Sequence, residues 1–209
     1  MALKTFVKIS EVSNLSDARY CAGMGVDQLG FNVTPGHPNF VDIEKFNEII
    51  GWVAGVEFVG EFDDQPLDYI KEALSNYKFD YIQTSRVDLL SEVNQLSQKV
   101  ILNLNVDEYE DVNRLEQALK YASHSTEYFL IHSQGNDENS YNWHTLAPMA
   151  SSYRLVLGSW VDSRDIGEML ANTNFRGIAL KGGNEIKPGY KDFDGLADIL
   201  ELIETEDQY

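Results

Sequence analysis

The chain has 209 residues, of which 43% are apolar, so it suits a single domain over residues 1–209 with an ample core. A net charge of −18 excludes the basic stripe that nucleic-acid binding requires and disfavours an anionic membrane surface. Cys21 is the only cysteine, which excludes an internal disulfide, and its place in a helical pattern predicts a buried thiol.

No apolar run approaches the ~20 residues that span a bilayer, and residues 1–6 lack the apolar stretch of a signal peptide. We therefore expect a cytoplasmic protein that does not enter a membrane. No Cys/His cluster has the spacing of zinc ligands, so no metal site is predicted.

Short β-branched and aromatic runs alternate with amphipathic stretches along the whole chain. In chain order, these runs predict strands over residues 5–10, 28–33, 56–62, 79–83, 99–104, 128–132, 154–157 and 177–180. The first predicted helix begins near Ser13 or Asn14 and ends at Gly23. The later predicted helices cover residues 42–50, 66–77, 89–96, 106–122, 143–150, 163–170 and 196–204, with Asp42 and Asn142 as N-terminal caps.

Eight alternating strand and helix units imply a parallel sheet, and this number in a chain of this length favours a closed barrel. The predicted fold is therefore α/β, a single (β/α)8 TIM barrel. An open doubly wound sheet remains the alternative because periodicity alone does not show closure. A dinucleotide-binding fold gains no support, since no G-x-G-x-x-G follows the first strand.

Ligands of such barrels bind at the carboxyl ends of the strands. The residues at these ends are therefore candidates for a site: 10–11, 34–39, 61–64, 84–86, 103–105, 132–134, 158–160 and 181–184.

The strand ends carry motifs of one known family, in order and with suitable spacing. Residues 7–11 read VKISE, where that family has V-K-I-C-G, and residues 155–160 read LVLGSW, where it has L-V-L-S-G-G. Further matches lie at residues 29–39 (L-G-F and P), 59–62 (V-G-V-F), 82–86 (V-Q-L-H-G), 129–133 (L-L-D-T), 141–143 (F-D-W) and 183–192 (G-x-E and P-G-x-K-D). Over nearly its whole length the sequence resembles phosphoribosylanthranilate isomerase.

The resemblance implies an Amadori rearrangement of phosphoribosylanthranilate in tryptophan biosynthesis, without cofactor or metal. It puts Ser10 at the position of the family's general base, a cysteine, and His132 at that of its general acid, an aspartate. It also implies substrate-binding positions at Asn39 and Gln83. The phosphate-binding positions that it implies are Gly158, Ser159, Lys181, Gly182 and Gly183.

The replacements bear directly on this chemistry. A serine hydroxyl cannot act as a base unless another group takes its proton. Glu11 is adjacent, but strand neighbours point to opposite sides, so we expect it to face away from the barrel interior. His132 titrates near neutrality and could still donate a proton. Asn39 replaces an arginine of the family, and Trp160 replaces a glycine, where an indole would obstruct a phosphate.

Three functions remain open. The favoured one is a diverged, non-isomerising barrel that binds a small anionic or phosphorylated molecule. The second is a working isomerase that uses His132 and an unidentified base. The third is a non-enzymatic interaction protein with its acidic surface as the contact. We expect a monomer or a homodimer.

Overall fold

The computed structural model describes residues 2–135, 141–182, 185–187, 190–191 and 194–205. Eight parallel strands, hydrogen-bonded in sequence order, close into a barrel in which β1 also pairs with β8. The strands are β1 Phe6–Ser10, β2 Gln28–Asn32, β3 Glu57–Glu61, β4 Tyr81–Thr84, β5 Lys99–Asn105, β6 Tyr128–His132, β7 Leu155–Leu157 and β8 Gly177–Lys181. The predicted (β/α)8 barrel is therefore confirmed, and the open sheet is excluded.

A helix follows each strand of the barrel. The helices are α1 Leu15–Gly23, α2 Ile43–Ile50, α3 Leu67–Leu74, α4 Leu90–Val93, α5 Val112–Ala122, α6 Trp143–Leu146, α7 Ile166–Asn172 and α8 Asp194–Leu202. A short antiparallel pair, β9 Glu185–Lys187 and β10 Tyr190–Lys191, lies between β8 and α8. Within the described ranges, no helix is both long and apolar enough to cross a membrane.

Several helices begin at a polar side chain that accepts a hydrogen bond from a backbone amide in the first turn. Asp42 and Asn142 do this for α2 and α6, as the sequence predicts, and Asn14 does it for α1, which settles the choice between Ser13 and Asn14. The long helix predicted over residues 106–122 is wrong. The chain instead forms a short 3-10 turn over Val106–Glu108. The helix α5 begins separately at Val112, with Asp111 as its N-terminal cap.

Other predicted helices are also shorter than expected. In place of the helix predicted over residues 89–96, the chain forms a 3-10 turn over Val87–Leu89 and then the single turn of α4. After α6 the chain tightens into a 3-10 helix over Ala147–Ser151, where Pro148 supplies no amide hydrogen for an α-helical bond.

The apolar residues form two cores, because alternate strand residues face opposite sides of the barrel wall. The outer core lies between the strands and the helices and includes Cys21, which is fully buried as predicted. The inner core fills the barrel and consists of Val59, Tyr81, Ile101, Tyr128, Leu130, Val156 and Ala179.

The amino-terminal end of the barrel is closed by paired polar groups. The Tyr128 hydroxyl donates to Gln28 Oε1 at 2.6 Å, and Lys99 Nζ donates to the Tyr81 hydroxyl at 3.1 Å. The two ends of the described chain meet outside this end, where the Thr205 amide donates to the Ala2 carbonyl at 2.8 Å. This end of the barrel is therefore sealed, and the opposite end is left to hold a site.

Candidate functional site

A cavity of about 360 Å³ opens at the carboxyl ends of the strands. The sequence-predicted site residues in its wall are Ser10, Gln83, His132, Gly158, Ser159 and Lys181. Its wall also includes Glu11, His37, Glu61, Asp63 and Asn103, which lie in the predicted strand-end ranges but were not assigned a catalytic or binding role. Asn39 lies behind this wall, and Gly183 lies outside the described residues.

Ser10 accepts a hydrogen bond from a buried lysine. Alternation along β1 turns both Lys8 and Ser10 into the barrel, and Lys8 Nζ donates to Ser10 Oγ at 2.7 Å. The same ammonium pairs with the carboxylate of Glu61, and the two side chains are 0% and 2% exposed. The serine hydroxyl therefore lies against a cation that already has its counter-ion.

The ion pair fits only because the neighbouring strand carries a glycine. A Cβ atom at Gly30 would overlap Glu61 Oε1 and would lie 2.7 Å from Lys8 Nζ. The second oxygen of Glu61 accepts from the Glu11 amide at 3.0 Å. The pair therefore ties β1 to β3 inside the barrel, and no sequence motif indicated it.

Glu11 faces the cavity, contrary to the expectation from strand alternation. Its φ of +57° is in the left-handed region, so the alternation ends at Ser10 and the side chain turns inward. Its carboxylate pairs with Lys181 Nζ at 2.8 Å and accepts from Asn39 Nδ2 at 2.9 Å. Burial raises the pKa of Glu11, but the contacts with Lys181 and Asn39 outweigh it and leave the pKa below its ordinary value. Glu11 is therefore a carboxylate at neutral pH.

His132 is half-buried at the end of β6. Burial lowers the pKa of His132, and the positive charge of Lys181 lowers it further; the carboxylates of Glu108, Asp107 and Asp63 offset this only in part. The imidazole is therefore uncharged at neutral pH. The proton-donating role predicted for His132 stays a prediction, which this pKa shift disfavours.

The predicted phosphate positions offer fewer donors than the resemblance implies. The Gly158 amide donates to the Ile131 carbonyl at 2.8 Å, and the Gly182 amide donates to the Ser10 carbonyl at 3.1 Å. Both amides continue the hydrogen bonding of the barrel wall, so neither is available to a phosphate. Lys181 is 73% exposed, and its ammonium is paired with Glu11.

Ser159 is tied to the start of the loop after β6. Its Oγ accepts from the Ser133 amide at 3.1 Å. Asp107 holds the same loop, since its carboxylate accepts from the amides of Gln134 and Gly135, both at 2.7 Å. The sequence placed Asp107 inside a helix and so missed this role.

Trp160 does not obstruct the cavity, contrary to the expectation from the sequence. Its φ of +59° is one that glycine adopts without strain, and its indole packs against the outer core. The side chain is therefore directed away from the cavity wall.

The innermost part of the cavity carries two carboxamides. Gln83 on β4 is 4% exposed, and Asn103 lies on β5. Their oxygens, Gln83 Oε1 and Asn103 Oδ1, are buried, and no donor among the described residues reaches them.

A sequence model of the family described as N-(5'phosphoribosyl)anthranilate (PRA) isomerase matches residues 7–202. The N-(5'-phosphoribosyl)anthranilate isomerase of Aquifex aeolicus is 25% identical over 206 residues, which cover 96% of this chain and 98% of that protein. Phosphoribosyl anthranilate isomerase from Thermotoga maritima superposes with a TM-score of 0.78 at 20% identity, over 95% of this chain and 98% of that one. A structure of such an isomerase with reduced 1-(o-carboxyphenylamino)-1-deoxyribulose 5-phosphate gives a TM-score of 0.77 at 20% identity, with the same coverage. The chain therefore belongs to the phosphoribosylanthranilate isomerase family.

Proposed function

We propose that this member of the family does not catalyse the isomerisation and that its cavity binds a small phosphorylated or otherwise anionic molecule. The observation that carries the proposal is the contact between Lys8 Nζ and Ser10 Oγ at 2.7 Å. An ammonium that is paired with a buried carboxylate cannot take the serine proton. Ser10, at the position of the family's base, therefore has no evident route to activation.

The acid position supports the same proposal. The pKa of His132 lies below its ordinary value through burial and the charge of Lys181, so the neutral imidazole holds no extra proton to give at pH 7. General acid and base groups each contribute about 10²–10⁴ in rate, so the loss of both is difficult to absorb.

The anionic end of the ligand is assigned to the rim near β7 and β8. Lys181 is exposed, and an exposed ion pair contributes only about 0–1 kcal/mol, so an anion can replace Glu11 as its partner at little cost. Ser159 and Lys181 supply the polar groups there, while Gly158 lines the wall and the Gly182 amide is held by the Ser10 carbonyl. A related isomerase binds a ligand with a 5-phosphate, which supports a phosphorylated ligand here.

Turnover of phosphoribosylanthranilate by the purified protein tests the first half of the proposal, with the Thermotoga maritima isomerase as the positive control. We expect no turnover above background and no rescue of a tryptophan auxotroph that lacks the isomerase. Turnover at an ordinary enzymatic rate would overturn the proposal. Calorimetry with inorganic phosphate tests the second half: binding should weaken in Lys181→Ala and persist in Lys120→Ala, a matched exposed lysine on α5.

A working isomerase is the second candidate, and the inward turn of Glu11 favours it. In this candidate, Glu11 is the base in place of the family's cysteine, and His132 is the acid. Rescue of the auxotroph by the wild-type protein but not by Glu11→Gln would establish it.

A further inference from the structure

The carboxylate of Glu11 joins the two parts of the cavity rim that flank the end of β1. On one side it pairs with Lys181 Nζ at 2.8 Å, at the end of β8. On the other side it accepts from Asn39 Nδ2 at 2.9 Å, in the loop after β2. The glutamate stands where the motif V-K-I-C-G has a glycine, so both contacts depend on a side chain that this motif lacks.

The backbone of Glu11 holds this carboxylate at the rim. A non-glycine residue with a φ of +57° is uncommon and strained, so the structure around it must fix it there. The Glu11 amide donates to Glu61 Oε2 at 3.0 Å, and the Glu11 side chain is only 22% exposed. The carboxylate is therefore positioned against Lys181 by the fold.

Lys181 is the cation that the proposed anionic ligand requires. It lies two residues after Ala179 of the inner core, so strand alternation turns it toward the cavity. Its positive charge acts on the cavity interior, because it lowers the pKa of His132. A ligand anion and the carboxylate of Glu11 therefore compete for the same ammonium.

We propose that Glu11 is an internal competitor of the ligand: its carboxylate occupies the anion position of the cavity, and an anion that binds Lys181 must displace it. This inference rests on the proposed function, from which it takes Lys181 as the anion-binding group. The amide contact with Glu61 does not involve the Glu11 carboxylate, so the side chain can turn away while the backbone stays in place. Glu11 thereby sets how strongly the cavity binds any anion.

Displacement of Glu11 differs from simple repulsion by Glu11 in its dependence on ligand charge. A competitor lowers the affinity for every anion by the same factor, since opening the ion pair is a property of the free protein. Repulsion from a fixed carboxylate grows with the charge of the ligand, so its factor for a dianion is about the square of its factor for a monoanion. Sulfate and acetate, a dianion and a monoanion at neutral pH, separate the two cases.

Titration with sulfate and with acetate at constant ionic strength, followed by NMR of the backbone amide signals of Lys181 and Gly182, tests the proposal. Glu11→Gln keeps the amide that donates to Glu61 and removes the charge. It should raise the affinity for both anions by the same factor, about two- to sixfold, the range expected for release of an exposed ion pair. Glu11→Gly, which adopts positive φ without strain, should give the same gain and serves if the glutamine variant folds poorly.

Asp63→Asn is the matched control. Asp63 belongs to the same cavity wall, but its carboxylate accepts from Asn32 Nδ2 at 3.0 Å. Loss of this charge should raise the affinity less than Glu11→Gln does, and more for sulfate than for acetate. In Lys181→Ala, the further change Glu11→Gln should bring no gain, because the ion pair is already absent.

The outcomes separate this inference from the proposed function. Unchanged affinities in Glu11→Gln, or a sulfate gain near the square of the acetate gain, would overturn the inference and leave the anion position intact. Anions that bind only after Glu11→Gln would support both. If neither anion binds any variant, the inference and the anionic half of the proposed function are both wrong. Turnover of phosphoribosylanthranilate would refute the proposed function alone.

Discussion

The two ends of the barrel interior differ in how they are filled. At the amino-terminal end, aromatic side chains fill the space and Tyr128 pairs with Gln28, while the buried Arg176 Nε has no partner among the described residues and its guanidinium lies over the Phe6 and Tyr128 rings. At the carboxyl end, the buried oxygens of Gln83 and Asn103 have no partner among the described residues, and the three described non-glycine residues with positive φ, Glu11, Asp63 and Trp160, all follow barrel strands. Positive backbone φ angles gather at the carboxyl end, so we expect the amino-terminal end to serve stability and the carboxyl end to serve recognition.

The largest effect on stability should come from the buried ion pair between Lys8 and Glu61. Lys8→Met leaves the Glu61 carboxylate buried without a counter-ion, and we expect a loss of about 3–5 kcal/mol in the free energy of unfolding. Urea denaturation measures it. In the double variant Lys8→Met/Glu61→Leu most of the loss should be recovered, and a double variant no more stable than the single one would show that the charge is not the cause.

A substitution at the amino-terminal end should have a smaller effect and sharpens the contrast. Tyr128→Phe removes the donor to Gln28 Oε1 and creates there the kind of orphan acceptor that Gln83 carries naturally. We expect the free energy of unfolding to fall by about 1–3 kcal/mol. Gln83→Leu, measured in the same denaturation series, should not lower the free energy of unfolding. Equal losses at both ends would remove the distinction between them.

The smallest effect on stability should come from the exposed ion pair between Glu11 and Lys181. The pKa of Glu11 in the folded protein lies below its ordinary value of 4.5. Its contribution to stability is therefore complete above about pH 4.5 and is lost as the pH falls through the folded pKa. Relative to Glu11→Gln, the wild-type advantage should be below about 1 kcal/mol, because Lys181 is 73% exposed, and should shrink in acid. Denaturation at several pH values measures it; an advantage that grows in acid would contradict the assignment.

The fold was predictable from the sequence because its signals are local. Periodicity located eight strand and helix units, and cap residues such as Asp42 set helix starts correctly. The helix predicted over 106–122 was wrong because apolar spacing continues through a turn, while Asp111 begins a new helix with its own cap.

The site was less predictable because its key features depend on contacts between distant strands. The backbone of Glu11 takes a left-handed conformation in which its amide donates to Glu61, 50 residues away. The ion pair between Lys8 and Glu61 needs the empty space at Gly30 on a third strand. Strand alternation could have paired Glu61 with Lys8, since both face inward, but only the closed barrel brings them together.

The contact between the first and last described segments has a practical consequence for engineering. Leu3 and Glu204 form an antiparallel bridge beside the contact between Thr205 and Ala2, at the pole of the barrel remote from the cavity. A short peptide joining these ends would permit circular permutation, with new termini opened in the exposed turn near Gly55. The barrel could thus be cut, fused or immobilised through its amino-terminal end, while the cavity at its carboxyl end is left unchanged.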